Sequence, residues 1–206
     1  MRVQDCRLFF QKREKNLCHL QAVDRFFSEN PSRSVAWHNR ARMKIDFDRL
    51  WRHVAESFLL PAISIHGPAH WRRVERNGLV LSARTGADPT LVRLFAVFHD
   101  SRREDDGWDV DHGRRGAEFA ASLRGELFDL PDADFALLQE ACISHTSGRH
   151  HSDLTIGTCW DADRLDLGRV GVIPSPEYMS TDFGREIADF GTIWPYLKEA
   201  PEVNEG

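Results

Sequence analysis

The chain is short of the features that would place it in several common classes. Its longest apolar stretch, Phe58 to Ile65, is broken by Pro61 and Ser64. Nothing approaches the roughly 20 apolar residues that span a bilayer. The N-terminal residues are charged and carry no compact apolar run ending in small residues, so no export signal is expected. There is no basic excess: the formal net charge is -5, which disfavours a large nucleic acid as partner, although a local basic patch would be compatible with it. The four cysteines, Cys6, Cys18, Cys142 and Cys159, include no C-x-x-C pair, which argues against a thiolate zinc site or a redox motif. Cys142 and Cys159 lie in apolar surroundings and read as small core residues. A cytoplasmic location with free thiols follows as the expectation. β-Branched alternation is missing throughout, so a sheet protein is not expected.

What remains is a soluble composition, 41% apolar and 29% charged over 206 residues, enough for one domain with a sizeable core. Residues 1–42 are rich in Arg, Lys, Gln and Asn, with no lasting period beyond one short amphipathic stretch around Phe9, Phe10, Leu17 and Leu20. They are expected to be a weakly ordered or peripheral appendage to a domain over 43–206. From Asp46 the apolar positions Phe47, Leu50, Trp51, Val54 and Phe58 recur at helical spacing. Helices are predicted over 46–60, 68–85, 90–101, 112–127, 133–145, 156–167 and from the cap Ser180-Thr181-Asp182 through 187. Pro61 stops the first, Pro68 suits the opening turn of the second, and Gly86 suits its end. The expected fold class is all-α, a compact helical bundle.

Histidine is the unusual residue. There are ten, and seven of them fall between His66 and His151. His99 and Asp100 follow the apolar run Leu94-Phe95-Ala96-Val97-Phe98, where a charge is costly to bury unless paired or bound to metal. Asp161, Asp163 and Asp166 sit in an otherwise apolar helix. Asp161 and Asp163 diverge by about 200° on it, so at most one can face a given ion. Two imidazoles and two carboxylates would make a mixed N/O site suited to Mn, Fe, Ni, Co, Zn or Mg.

The segments His70-Trp71-Arg72-Arg73-Val74, Phe98-His99-Asp100-Ser101-Arg102, His112-Gly113 and Asp161-Ala162-Asp163-Arg164-Leu165-Asp166 together resemble the HD superfamily of metal-dependent phosphohydrolases. The resemblance covers residues 63–170. It implies an HD-domain helical bundle with a divalent metal ion on His70, His99, Asp100 and Asp163. Asp163 is preferred to Asp161 because it precedes the Arg164-Leu165 step. Some members of that family hold a second metal through two further histidines. His112 and His145 stand in those places, and either a second ion there or contact of both with a substrate phosphate is open.

The resemblance implies a phosphomonoesterase or phosphodiesterase acting on a small phosphorylated metabolite or nucleotide. Asp100, His112, His145 and Arg102 are the candidate catalytic residues. His66, Arg102, His112 and His145 are the candidate substrate contacts, Arg102 because a guanidinium can clamp phosphate. Trp71 and Trp160 read as core rather than as stacking platforms. Asp105 and Asp106 read as turn formers, and Asp166 as either an arginine partner or a catalytic carboxylate. An HD-type di-iron oxygenase and a non-catalytic ligand-binding HD module are the alternatives. The segment after Gly171 could serve as a lid or as a homodimer contact.

Overall fold

The structure, a computed structural model, describes residues 45–199. The expectation for residues 1–42 lies outside them. Among the described residues there are seven α-helices and no strand: α1 (Phe47–Glu56), α2 (Pro68–Thr85), α3 (Pro89–Phe98), α4 (His112–Leu123), α5 (Asp132–Ser144), α6 (Leu154–Arg164) and α7 (Asp182–Phe190). Short 3₁₀ turns follow α6 and α7. The all-α expectation holds.

The helix starts follow local chemistry. Carboxylates of Asp46, Asp88 and Asp153 and the hydroxyl of Thr181 each accept a backbone N–H from the first turn of α1, α3, α6 and α7, an interaction worth about 1 kcal/mol apiece. Pro68 opens α2, and Gly86 closes it with φ of 78°, a conformation that would strain a side-chain-bearing residue. The C-termini come earlier than the sequence suggests. α1 stops at Glu56, well before Pro61, because the Ser57 hydroxyl donates back to Val54 O at 2.8 Å. α3 stops at Phe98, leaving His99 as its cap.

α3 is the centre of the bundle. Leu91, Val92 and every residue from Leu94 to Phe98 are buried, the pattern of a helix covered on all sides. It packs on α2, α5 and α6, with α1 and α4 adding further cover. Trp71, Phe95 and Phe98 are the largest wholly enclosed side chains, each contributing about 1.5–3 kcal/mol by burial. Trp71 and Trp160 are core residues whose indole N–H groups donate to His66 O and Ala141 O. Cys142 and Cys159 are buried and free. The carboxylate of Glu75 on α2 is enclosed between Arg93 of α3 (2.7 Å) and Arg72 (3.3 Å), which ties the two helices beside the core.

Candidate metal centre

Five helix ends meet at one point. α2 brings His70 from its first turn, α3 is capped by His99 and followed by Asp100, and α4 begins with His112. α5 is capped by His145, and α6 carries Asp163 in its last turn. Two glycines of α4 allow this convergence. A Cβ on Gly113 would stand 2.2 Å from Cys142 O, and one on Gly116 would stand 2.3 Å from Phe98 O. Backbone therefore meets backbone where α4 passes the ends of α5 and α3, and His112 is drawn up to His145 and Asp100.

The donors form two groups that share one carboxylate: His70, His99 and Asp100, and Asp100, His112 and His145. In the first, His70 Nε2 lies 3.2 Å from His99 Nε2 and 3.6 Å from Asp100 Oδ2. Asp163 Oδ1 completes it at 3.2 Å from His70 Nε2 and 3.9 Å from His99 Nε2. In the second, His112 Nε2 lies 2.9 Å from His145 Nε2 and 3.2 Å from Asp100 Oδ1, and His145 Nε2 lies 3.8 Å from the same oxygen. Separations of about 3–4 Å are the edges of a polyhedron whose centre is about 2.1 Å from each donor.

The outer nitrogens fix the tautomers. His70 Nδ1 faces Asp166 Oδ2 at 2.7 Å, His99 Nδ1 faces Phe95 O and Ala96 O at 3.2 and 3.1 Å, and His145 Nδ1 faces Cys142 O at 2.7 Å. His112 Nδ1 pairs with Asp109 O. Carbonyl oxygens only accept, so Nδ1 must be the protonated nitrogen in His99, His112 and His145, and the Asp166 carboxylate favours the same in His70. All four Nε2 lone pairs then point inward at one another. Facing lone pairs about 3 Å apart repel unless a cation lies among them, and imidazoles held this way through Nδ1 are what metal ligation uses. The residues therefore fit a bound metal.

Electrostatics agree. Burial pushes the His99 imidazole down to about 3, so it stays neutral and free to donate a lone pair. Burial also acts to lower His70, but hydrogen bonds of its protonated form to Asp163 and Asp166 outweigh it and the pKa is raised, so at this one imidazole a proton competes with a cation for Nε2. Burial acts to raise the Asp100 carboxyl, yet the surrounding imidazoles of His99, His145 and His70 hold it well below the usual range. The side chains of His70, His99 and Asp100 are at most 3% exposed, whereas Asp163 keeps 21%, so the centre meets solvent on the Asp163 side.

The structure separates the two aspartates of α6. Asp161 turns away and accepts hydrogen bonds from Ser180 N, Thr181 N and the Thr181 hydroxyl at 2.7–2.8 Å. It also separates the two arginines after the HD pair. The guanidinium of Arg102, expected at substrate, donates to Ser57 O and lies 3.5 Å over the Phe119 ring. Arg103 takes the inner position, donating through Nε to Asp100 Oδ1 at 3.1 Å and through Nη1 to Asp105 O and Gly107 O. One residue further round the turn after α3 reverses the side on which a side chain emerges.

His66 stands at the rim, its ring centroid 6.2 Å from that of His70. Asp106 Oδ1 holds it, 3.1 Å from His66 Nδ1, and also accepts from the Ser64 hydroxyl. Asp106 thus has more than a turn-forming part, which its place in an acidic loop gave no means of seeing. Asp166 buttresses His70 and is itself held by Arg73 Nε at 2.8 Å and Arg169 Nη1 at 3.6 Å.

No family model and no curated protein matches the chain. A solved structure that does match is the crystal structure at 1.45 Å of a predicted HD superfamily hydrolase from an uncultured Thermotogales bacterium. It is 27% identical, with a TM-score of 0.58, over 74% of this chain and 87% of that one. An all-α bundle whose helix ends enclose a buried His/Asp cluster fits a metal-dependent hydrolase. This likeness supports membership of the HD superfamily.

Proposed function

We propose that this protein is a metal-dependent phosphohydrolase acting on a small phosphorylated molecule, such as a nucleotide. The observation that carries the reading is the shared carboxylate of Asp100, whose Oδ2 faces His70 and His99 while its Oδ1 faces His112 and His145. His70, His99, Asp100 and Asp163 would hold one divalent cation, and Asp100, His112 and His145 a second. Such ions supply a water of lowered pKa and positive charge for a phosphoryl oxygen.

The chain's own residues do the rest. Arg103 fixes the rotation of the Asp100 carboxylate. Asp166 and the carbonyls of Phe95, Asp109 and Cys142 keep the four imidazoles in the tautomer that offers Nε2. His66, braced by Asp106 at the rim, is the side chain positioned to meet a substrate group. No helix among the described residues is long and apolar enough to cross a membrane, which suits a small dissolved substrate.

The test is a panel of phosphorylated metabolites assayed with several divalent metals, with metal content measured on the same samples. Phosphate release by metal-loaded protein, abolished in Asp100→Ala, is the expected result. Two histidines beside Asp100 also suit a di-iron oxygenase. Two irons per chain with oxygen uptake and no phosphate release would favour that reading instead.

A further inference from the structure

Thr146 is the first residue past the cap of α5. It is exposed, yet its hydroxyl oxygen lies 3.3 Å from Nε2 of His112, a buried member of the second donor group. Hydroxyls near the ends of α1 to α4 turn back on their own helix: those of Ser57, Ser82, Ser101 and Ser122 each donate to the carbonyl three residues earlier, the usual local bond of such side chains. Thr146 reaches across to α4 instead.

The turn that carries Thr146 is held from several sides. Arg164 donates to His145 O, Gly148 O and Arg149 O, and Gly148 N donates to Ser144 O at 2.7 Å. A Cβ on Gly148 would stand 2.3 Å from the Trp160 ring, so glycine is what lets the turn lie against α6.

The direction of the Thr146 bond follows from the tautomer. His112 Nδ1 carries its proton toward Asp109 O, so Nε2 accepts and the Thr146 hydroxyl donates. An ion among Asp100, His112 and His145 would claim the same lone pair. The hydroxyl would then need another acceptor beside His112, where an oxygen on the ion belongs. Its 3.3 Å to Nε2 falls within the 2.9–3.8 Å that separate the donors of that group from one another. A neutral hydroxyl is a weak ligand beside imidazole and carboxylate. As a donor to an anionic oxygen it makes a strong, charge-assisted hydrogen bond.

We propose, on the reading that Asp100, His112 and His145 hold a second ion open to phosphate, that Thr146 is a substrate-contacting residue. Its hydroxyl donates to a phosphoryl oxygen held at that group and steadies the charge there.

The probe is inorganic phosphate, titrated calorimetrically into full-length protein loaded to two ions per chain with Mn²⁺ or another divalent metal, for wild type, Thr146→Val and Thr146→Ser. Valine keeps the shape and removes the hydroxyl, and serine keeps the hydroxyl. Thr146→Val should bind phosphate about tenfold or more weakly, the loss of one charge-assisted hydrogen bond, and Thr146→Ser should stay within about threefold of wild type. Metal content should stay at two ions in all three, because the hydroxyl competes for Nε2 rather than supporting an ion. Equal phosphate affinity in wild type and Thr146→Val would overturn the proposal. So would loss of an ion in Thr146→Val, which would make the hydroxyl a support of His112. Equal loss of phosphate in Thr146→Ser would assign the effect to shape and overturn it as well. A wild type that takes no second ion, or no phosphate, would do the same. Turnover enters none of these readings. Esters left intact by wild type, with phosphate binding weakened in Thr146→Val, would sink the phosphohydrolase reading alone; hydrolysis with equal phosphate affinity would sink this one alone.

Discussion

The carboxylate of Asp161 grips Thr181, accepting its backbone N–H at 2.8 Å and its hydroxyl at 2.7 Å. Thr181 in turn caps α7 by accepting Gly184 N. Asp163, two residues on, faces His70 instead. The two aspartates should therefore separate cleanly. Asp161→Ala orphans buried donors and should lower stability by roughly 1–3 kcal/mol for each one left without water, while metal stoichiometry is kept. Asp163→Ala should lose metal with little change in the melting temperature of chelator-treated protein. Calorimetry with elemental analysis on both variants checks this, and the reverse pattern would exchange their roles.

The neighbouring arginines should separate in the same way. Arg103→Lys keeps the charge but loses the planar fork that reaches both Asp100 and the 105–107 loop. It should lower metal affinity or activity by about 10–100-fold, the usual effect of losing a ligand's support. Arg102→Ala should leave kcat within about twofold and cost about 1 kcal/mol, from the contact with Phe119 and the bond to Ser57 O. Steady-state kinetics at saturating metal would show it. Equal loss in both variants would contradict the geometry.

Gly113→Ala and Gly116→Ala each force a Cβ against a carbonyl oxygen, and overpacking of this kind costs about 1–3 kcal/mol. Both should also push α4 away from α5 and α3. The group of His112, His145 and Asp100 should loosen while His70, His99 and Asp163 keep their places. Metal titration should then show the weaker site lost before the stronger. A melt unchanged in both variants would mean that α4 moves freely.

Chelation should lower the melting temperature of wild type and leave Asp100→Asn unaffected, because binding to the folded state alone adds about 2.7 kcal/mol at a hundredfold excess over Kd. Asp100→Asn should lose both ions and His145→Gln one. Acid should also release metal. Protons compete for Nε2, and Asp163 and Asp166 raise His70 against the effect of burial. A proton therefore displaces the cation there at a higher pH than at an ordinary imidazole. Metal content should fall between about pH 7 and pH 5. Content that is flat across this range would exclude His70 as a ligand.

Much of this was legible in the sequence, for identifiable reasons. α2 opens with Pro68 and ends at Gly86, and both ends were read from those residues alone. His99 and Asp100 stood out because charge follows an apolar run. The divergence of Asp161 and Asp163 follows from helical pitch. What escaped was whatever depends on contacts between distant segments. Nothing local marks Arg103 rather than Arg102 as the residue on Asp100, or Asp106 as the brace of His66, 40 residues away. Nothing local shows that Gly113 and Gly116 are there for close approach, since glycines in a helix look like weak points until the neighbouring carbonyls are placed. The C-termini of α1 and α3 were set too late for a related reason: helix ends are decided by a turn's own hydrogen bonds, which apolar periodicity does not report.

His99 and His145 are the cap residues of α3 and α5, and each ring is fastened to carbonyls of its own helix's last turn: Phe95 O and Ala96 O for one, Cys142 O for the other. The negative ends of two peptide dipoles, each equivalent to roughly half an elementary charge, are thereby directed through the imidazoles at the place a cation would occupy. That part of the attraction belongs to the main chain. Replacing a carboxylate ligand leaves both rings fastened in this way, so such a variant should keep two Nε2 atoms aimed at the same point even after its metal affinity is lost.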